Sequence, residues 1–117
     1  MVEMLEHKGS KIVLIGAGNV ATHLGKRLQK KGHEILQVAS KSEKSAKELS
    51  LLLSASFTTD LKKINLYADV YILCVPDEEI VSIGSSLKLP QKLVLHTSGS
   101  IGLNVLKNVS SNCGVLY

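Results

Sequence analysis

Four short segments of this chain carry the residue types and spacings that could do chemistry. The first is Gly16-Ala17-Gly18-Asn19-Val20-Ala21, a G-x-G-x-x-A string. Gly16 lets the backbone turn sharply out of a preceding strand. Gly18 has no Cβ, so a pyrophosphate can come close to the backbone, and Ala21 is small enough for a following helix to pack on a sheet. The bared N–H groups and positive end of that helix would then meet phosphates. Asn19 lies inside the turn, where its side chain can bond backbone or ligand. A Walker-type phosphate loop is excluded, because no Gly-Lys-Ser/Thr follows. The alternative is a glycine-rich turn that binds nothing.

The second segment is Ser40-Lys41-Ser42. Domains that prefer NAD carry an acidic residue about 20 residues past the glycines, where it accepts hydrogen bonds from the ribose. Two hydroxyls and an ammonium favour a 2′-phosphate instead, so the segment points to NADP over NAD. Ser42 as a helix cap and Lys41 as a solvated side chain are the plain alternative, and capping is compatible with phosphate binding. The third segment, Val75-Pro76-Asp77, leaves a strand; Pro76 fixes the turn and Asp77 is expected to cap a helix. The fourth, His96-Thr97-Ser98-Gly99-Ser100, combines polar groups with a flexible glycine. Such a loop could hold a nicotinamide amide or a substrate carbonyl. His96 is a candidate proton donor, though a lone histidine at a strand end is more often structural. Ser98 is the other candidate for catalysis; it lacks the G-x-S-x-G setting of a nucleophile elbow.

The elements that must position these segments alternate. Lys11–Ile15 is a β-branched run stopped by Gly16, which suits a strand buried on both faces. Val20–Lys31 reads as an amphipathic helix with Val20, Leu24 and Leu28 inward and Gly32 as its stop. A strand over Glu34–Ser40 follows. Then comes a helix capped by Ser42 or Ser45, with Ser45 and Glu48 as a capping box and Ala46, Leu49, Leu52 and Leu53 inward. Ala55–Thr58 reads as a short edge strand and Asp60 as the cap of a short helix through Leu61 and Ile64. Asp69–Val75 is a strand, and Ile80, Ile83 and Leu87 mark the next helix. Pro90 breaks the chain before a strand at Lys92–Thr97. Ser100 is expected to cap a helix through Leu103 and Leu106, and Cys113–Tyr117 to begin a sixth strand. Strands alternating with helices mean βαβ units and right-handed crossovers. The predicted fold is therefore α/β: a doubly wound, mostly parallel sheet of the Rossmann dinucleotide-binding type. Its ligand would lie over the carboxyl ends of the strands, where the strand order reverses between the first and fourth.

Composition narrows the class. The chain has 117 residues, 44% of them hydrophobic and 3% aromatic, with no Trp, so one domain with an aliphatic core is expected. The scarcity of aromatics disfavours base-stacking nucleic-acid modules. The net charge is +4 and is uneven, with eleven Lys and Arg against six Asp and Glu in residues 1–63. That favours an anionic partner on the N-terminal half but is too mild for DNA. Cys74 and Cys113 read as small buried hydrophobes in a reducing compartment. No spacing indicates a metal, and His7, His23 and His33 are weaker than His96. Glu3 and Glu6 argue against a signal peptide, and no apolar run approaches a membrane span. Residues 1–10 read as a leading segment and 11–117 as the domain, in a cytoplasmic protein that partners a small molecule rather than nucleic acid or membrane. Because the chain stops on an apolar strand, it reads as the N-terminal piece of something longer.

With these residues in hand, the chain resembles a known family. Ile12–Leu24, the Ala39–Ser42 strand end, Ala68–Asp77 and His96–Ser100 are similar to the N-terminal domain of candidate NADP-dependent oxidoreductases, near pyrroline-5-carboxylate reductase and the deazaflavin-dependent NADP reductases. The resemblance implies that Gly16–Ala21 hold the pyrophosphate and Ser40, Lys41 and Ser42 the 2′-phosphate. It also implies that Val75, Pro76 and Asp77 lie beside the nicotinamide ribose, and Thr97, Ser98 and Gly99 near the reacting ring. It further implies a helical C-terminal domain, not included here, that dimerises the protein and completes the substrate pocket. The expected function is hydride transfer between nicotinamide and an unidentified small substrate. A non-catalytic dinucleotide-binding or redox-sensing module shares every phosphate-binding feature and stays open.

Overall fold

A computed structural model describes residues 9–116, with the side chain of Leu103 left aside. Most of the expected leading segment, His7 within it, and Tyr117 lie outside the described residues. The strands are β1 (Lys11–Ile15), β2 (Glu34–Ala39), β3 (Ser56–Thr58), β4 (Val70–Leu73), β5 (Leu93–His96) and β6 (Cys113–Val115). Among the described residues, three α-helices alternate with them: α1 (Asn19–Lys30), α2 (Glu43–Leu53) and α3 (Asp77–Ser86). Two 3₁₀ turns, Leu61–Lys63 and Leu103–Leu106, complete the order.

The strands form one sheet in the order β3-β2-β1-β4-β5-β6, and every pairing is parallel. The sheet is thus wholly parallel rather than mostly so. β1 lies between β2 and β4, so the strand order reverses beside it. Alternate residues of β1 feed opposite faces. Ile12 and Leu14 pack with Ala21, Leu28, Ala46 and Leu49 of α1 and α2. Val13 and Ile15 pack with Ile80 and Ile83 of α3 and with Leu106. A strand covered on both faces must be apolar at every position, which is why β1 and β4 read as continuous hydrophobic runs.

Several local expectations change. The inward face of α1 is Ala21, Gly25 and Leu28, while Val20 is exposed because it lies in the first turn, beyond the end of the sheet. Leu52 is likewise exposed, since Ala46, Leu49 and Leu53 already face the core. Ser42, not Ser45, caps α2: its side chain accepts the Ser45 amide at 3.2 Å, so the proposed box with Glu48 does not form. The segment after Ser100 is a 3₁₀ turn preceded by Gly102 with no side-chain cap. Cys113 is only partly buried, because β6 is an edge strand. The core is not purely aliphatic either: Tyr71 is wholly buried and its hydroxyl donates to the Asn65 carbonyl. A buried phenol survives in such a core because its one polar atom has a partner.

Candidate dinucleotide site at the strand ends

The register aligns the last residues of all six strands in one row. Ile15 stands opposite Ala39 and Leu73, Ala39 opposite Thr58, and His96 opposite Leu73 and Val115. All four segments with chemical potential leave this row on the same edge of the sheet. Their convergence therefore follows from parallel pairing.

The glycine turn is built into the sheet end. The Gly16 amide donates to the Ala39 carbonyl at 2.6 Å. Gly16 has φ +117°, and a Cβ there would lie 2.2 Å from the Cys74 carbonyl oxygen. Only glycine tolerates both conditions. Gly18 differs. Its φ is −86° and a Cβ would meet nothing within 4 Å, so the space above it is open. Gly18 is also the N-cap of α1, and no side chain caps that end. The first helical bond runs from the Thr22 amide to the Gly18 carbonyl, 3.0 Å. The amides of Asn19, Val20 and Ala21 precede it and have no carbonyl one turn back to accept from them. The first turn holds no acidic residue, so nothing there repels an anion. Ala21 is wholly buried, and Gly25, one turn on, packs still closer: a Cβ there would lie 2.7 Å from Leu53 and 3.1 Å from Leu14. Sequence reading gave the close-packing role to Ala21 alone.

On one side of the turn lies a slot of about 250 Å³. Its apolar wall comes from Ile15, Ala39, Leu61, Val75 and Ile83, and its polar rim from Ser40, Lys41, Ser42, Thr59 and Glu79. The expected triad thus borders a largely apolar space of the kind that suits a ring. Thr59 and Glu79 were not foreseen. Lys41 Nζ pairs with Glu79 Oε1 at 3.0 Å, bridging the exit of β2 to the first turn of α3. On the other side, a groove of about 370 Å³ is lined by Asn19, Val20, His23, Leu24, Arg27, Thr97 and Leu116. The two hollows share no lining residue.

Asp77 does not cap α3. It is the first residue of the helix, after Pro76 in the capping place, and its Oδ2 accepts the Ser100 hydroxyl at 2.7 Å. The Ser98 and Ser100 hydroxyls lie 3.1 Å apart, so a carboxylate–hydroxyl chain latches the loop after β5 to α3. Bonds from Ser100 and Ser98 hold the Asp77 carboxyl below its usual range, and it stays ionised. His96 is wholly buried, and its Nδ1 accepts the Ser98 amide at 3.1 Å. That bond assigns the ring proton to Nε2, which has no hydrogen-bond partner. Burial pushes His96 below the ordinary imidazole range, against the backbone of Ile101 and Gly102 and the Asp77 carboxylate. Burial thus favours the neutral ring, and His96 lines neither hollow. The imidazole is bonded to the Ser98 amide and not to its hydroxyl, so it does not activate that serine. Cys74 is buried and its thiol is pushed up to about 12, so it is inert. Among the described residues no group of three His, Cys, Asp or Glu could hold a metal ion, and no helix is long and apolar enough to cross a membrane.

Comparison with known proteins agrees with this fold. A candidate NADP oxidoreductase from Bacteroides fragilis is 40% identical, with a TM-score of 0.85 over 97% of this chain and 44% of its own. The pyrroline-5-carboxylate reductase of Streptococcus pyogenes has 22% identity and a TM-score of 0.71 over 91% of this chain and 39% of its own. The shikimate dehydrogenase of Mycobacterium tuberculosis has 14% identity and a TM-score of 0.74 over 94% of this chain and 46% of its own. The last two show the shared Rossmann fold alone. The chain therefore spans less than half the length of each of these proteins. No curated protein matches it. Residues 11–99, which contain all four segments but the final Ser100, match the family described as NADP oxidoreductase, coenzyme F420-dependent, and the chain belongs to that family.

Proposed function

We propose that this chain is the coenzyme domain of an NADP-dependent oxidoreductase. The observation that carries the reading is the uncapped, acid-free start of α1 above the open face of Gly18, flanked by the Ser40-Lys41-Ser42 slot. The amides at that start would hold the diphosphate, the slot the adenosine end, and Lys41 with the two serine hydroxyls the 2′-phosphate. The groove beside Thr97 would take the nicotinamide end. When bound, the nicotinamide supplies the hydride. The residues of this chain orient the cofactor. The Asp77–Ser100 latch holds the loop that borders it, and the neutral His96 braces the loop from below. The other substrate is a small molecule bound largely by protein beyond this chain.

A thermal melt tests the reading. NADPH at about 100 times its dissociation constant is expected to add roughly 2.7 kcal/mol of stability, with a smaller gain from NADH at the same concentration. Equal shifts would remove the 2′-phosphate assignment. Lys41→Asp is expected to weaken NADPH about tenfold, the worth of one charge-assisted hydrogen bond, and to leave NADH nearly unchanged. An unaltered NADPH/NADH ratio would show Lys41 to be a solvated surface residue.

A second reading is a module that binds the dinucleotide and transfers nothing. It is favoured by the burial of His96, whose imidazole is bonded to the Ser98 amide and not to a hydroxyl. Loss of NADPH absorbance with coenzyme F420 as acceptor would decide for the oxidoreductase.

A further inference from the structure

The first turn of α3 holds three successive carboxylates, Asp77, Glu78 and Glu79, beside a slot read above as the seat of an anion. Acidic residues suit a helix N-terminus, and Asp77 is spent on Ser100. Glu79 is different, since it alone reaches across the slot to Lys41, at 3.0 Å, and lines the slot with it. The two side chains are unequal. Lys41 is 81% exposed, whereas Glu79 is 26% exposed. The cation proposed to meet the 2′-phosphate is therefore already paired with an internal anion.

We infer that Glu79 sets the cofactor preference of the slot by competing with the 2′-phosphate for Lys41. The inference rests on the NADP reading above. NADPH must take the ammonium from Glu79 and then sit near the released carboxylate. NADH makes no claim on Lys41 and leaves the pair intact. Glu79 thus lowers the affinity for the phosphorylated cofactor without touching that for the other. Because the lysine is solvated, the pair is weak, and exposed pairs of this kind contribute about a two- to fivefold change in an equilibrium constant.

The test is calorimetric titration of the 117-residue chain with NADPH and with NADH. It compares the unchanged protein with Glu79→Gln, Glu78→Gln, Lys41→Gln and the Lys41→Gln/Glu79→Gln double variant. Glu79→Gln is expected to tighten NADPH about two- to fivefold and leave NADH unaltered, as a solvated pair of this strength would give. Glu78→Gln, one residue away and exposed, is expected to shift neither. In the Lys41→Gln background the Glu79→Gln effect should shrink, leaving only direct repulsion, which marks the two as coupled. The inference is overturned if Glu79→Gln leaves the NADPH/NADH ratio unchanged, if Glu78→Gln raises it equally, or if the effect is undiminished without Lys41. An unchanged protein that binds both cofactors equally would instead overturn the 2′-phosphate reading itself, and the inference with it. Thermal melts confirm that each variant is folded.

Discussion

Gly18→Asp is expected to leave the fold slightly more stable while destroying the affinity for a dinucleotide. Gly18 is the N-cap of α1 with φ −86° and ψ −159°, extended backbone that any residue adopts. A Cβ there would meet no protein atom within 4 Å. Aspartate is among the best N-cap residues, and replacing glycine also reduces the freedom of the unfolded chain. Together these are worth roughly 0.5–1 kcal/mol in favour of the fold. The same carboxylate would bond the amides that the diphosphate needs and place a negative charge in its path. Loss of two charge-assisted bonds corresponds to at least a ~100-fold weaker NADPH complex. Melting without ligand and calorimetric titration with NADPH read the two effects separately. A Gly18→Asp protein that binds NADPH as before would move the diphosphate away from α1 and remove the basis of the functional reading.

Gly16→Ala is expected to act in the opposite way, on folding first. The backbone has φ +117°, and the new Cβ would lie 2.2 Å from the Cys74 oxygen and 2.8 Å from its carbonyl carbon. Both are backbone atoms of the chain leaving β4, fixed by the Cys74 amide bond to the Ile15 carbonyl at 2.7 Å. No rotamer change can relieve that overlap. Backbone strain and overpacking together are expected to cost roughly 3–5 kcal/mol, a fall in Tm of more than about 10 °C for a domain of this size. Unfolding in urea with an unchanged m-value is the clean measurement. A loss under about 1 kcal/mol would mean that the β1 and β4 exits are not held together as described. The two glycines of one motif thus have separable duties: Gly16 lets two strand ends meet, and Gly18 leaves a surface bare.

That separation marks what a reader of residues alone can obtain. Both glycines are visible as a motif, and the strand–turn–helix–strand unit around them is visible because hydrophobic period and turn chemistry are short-range properties. β1 and β2 are bounded to within a residue for the same reason, and β4 to within two. Errors arose where a side chain had a choice between a local partner and a distant one. Asp77 looks like a cap, yet Pro76 takes the capping place and the adjacency of β4 and β5 delivers Ser100 to its carboxylate. Ser100 was assigned to capping for the same local reason. Lys41 looks solvated or free for phosphate, and Glu79 has no sequence signal at all. They meet because β2 and α3 are brought to one edge of the sheet on either side of β1.

Gly84 makes the point for packing. It reads as an unremarked helix interior residue, yet a Cβ there would lie 2.2 Å from the Val105 carbonyl oxygen, so α3 approaches the final 3₁₀ turn only because that side chain is missing. The order of amino acids was sufficient for the kind of sheet and for the glycine turn that leaves its first strand, since both follow from neighbours along the chain. Which charges oppose one another across the slot, and which polar groups are already engaged, depends on strand register and crossover, which join residues distant in the chain. Those contacts came into being only with the folded molecule.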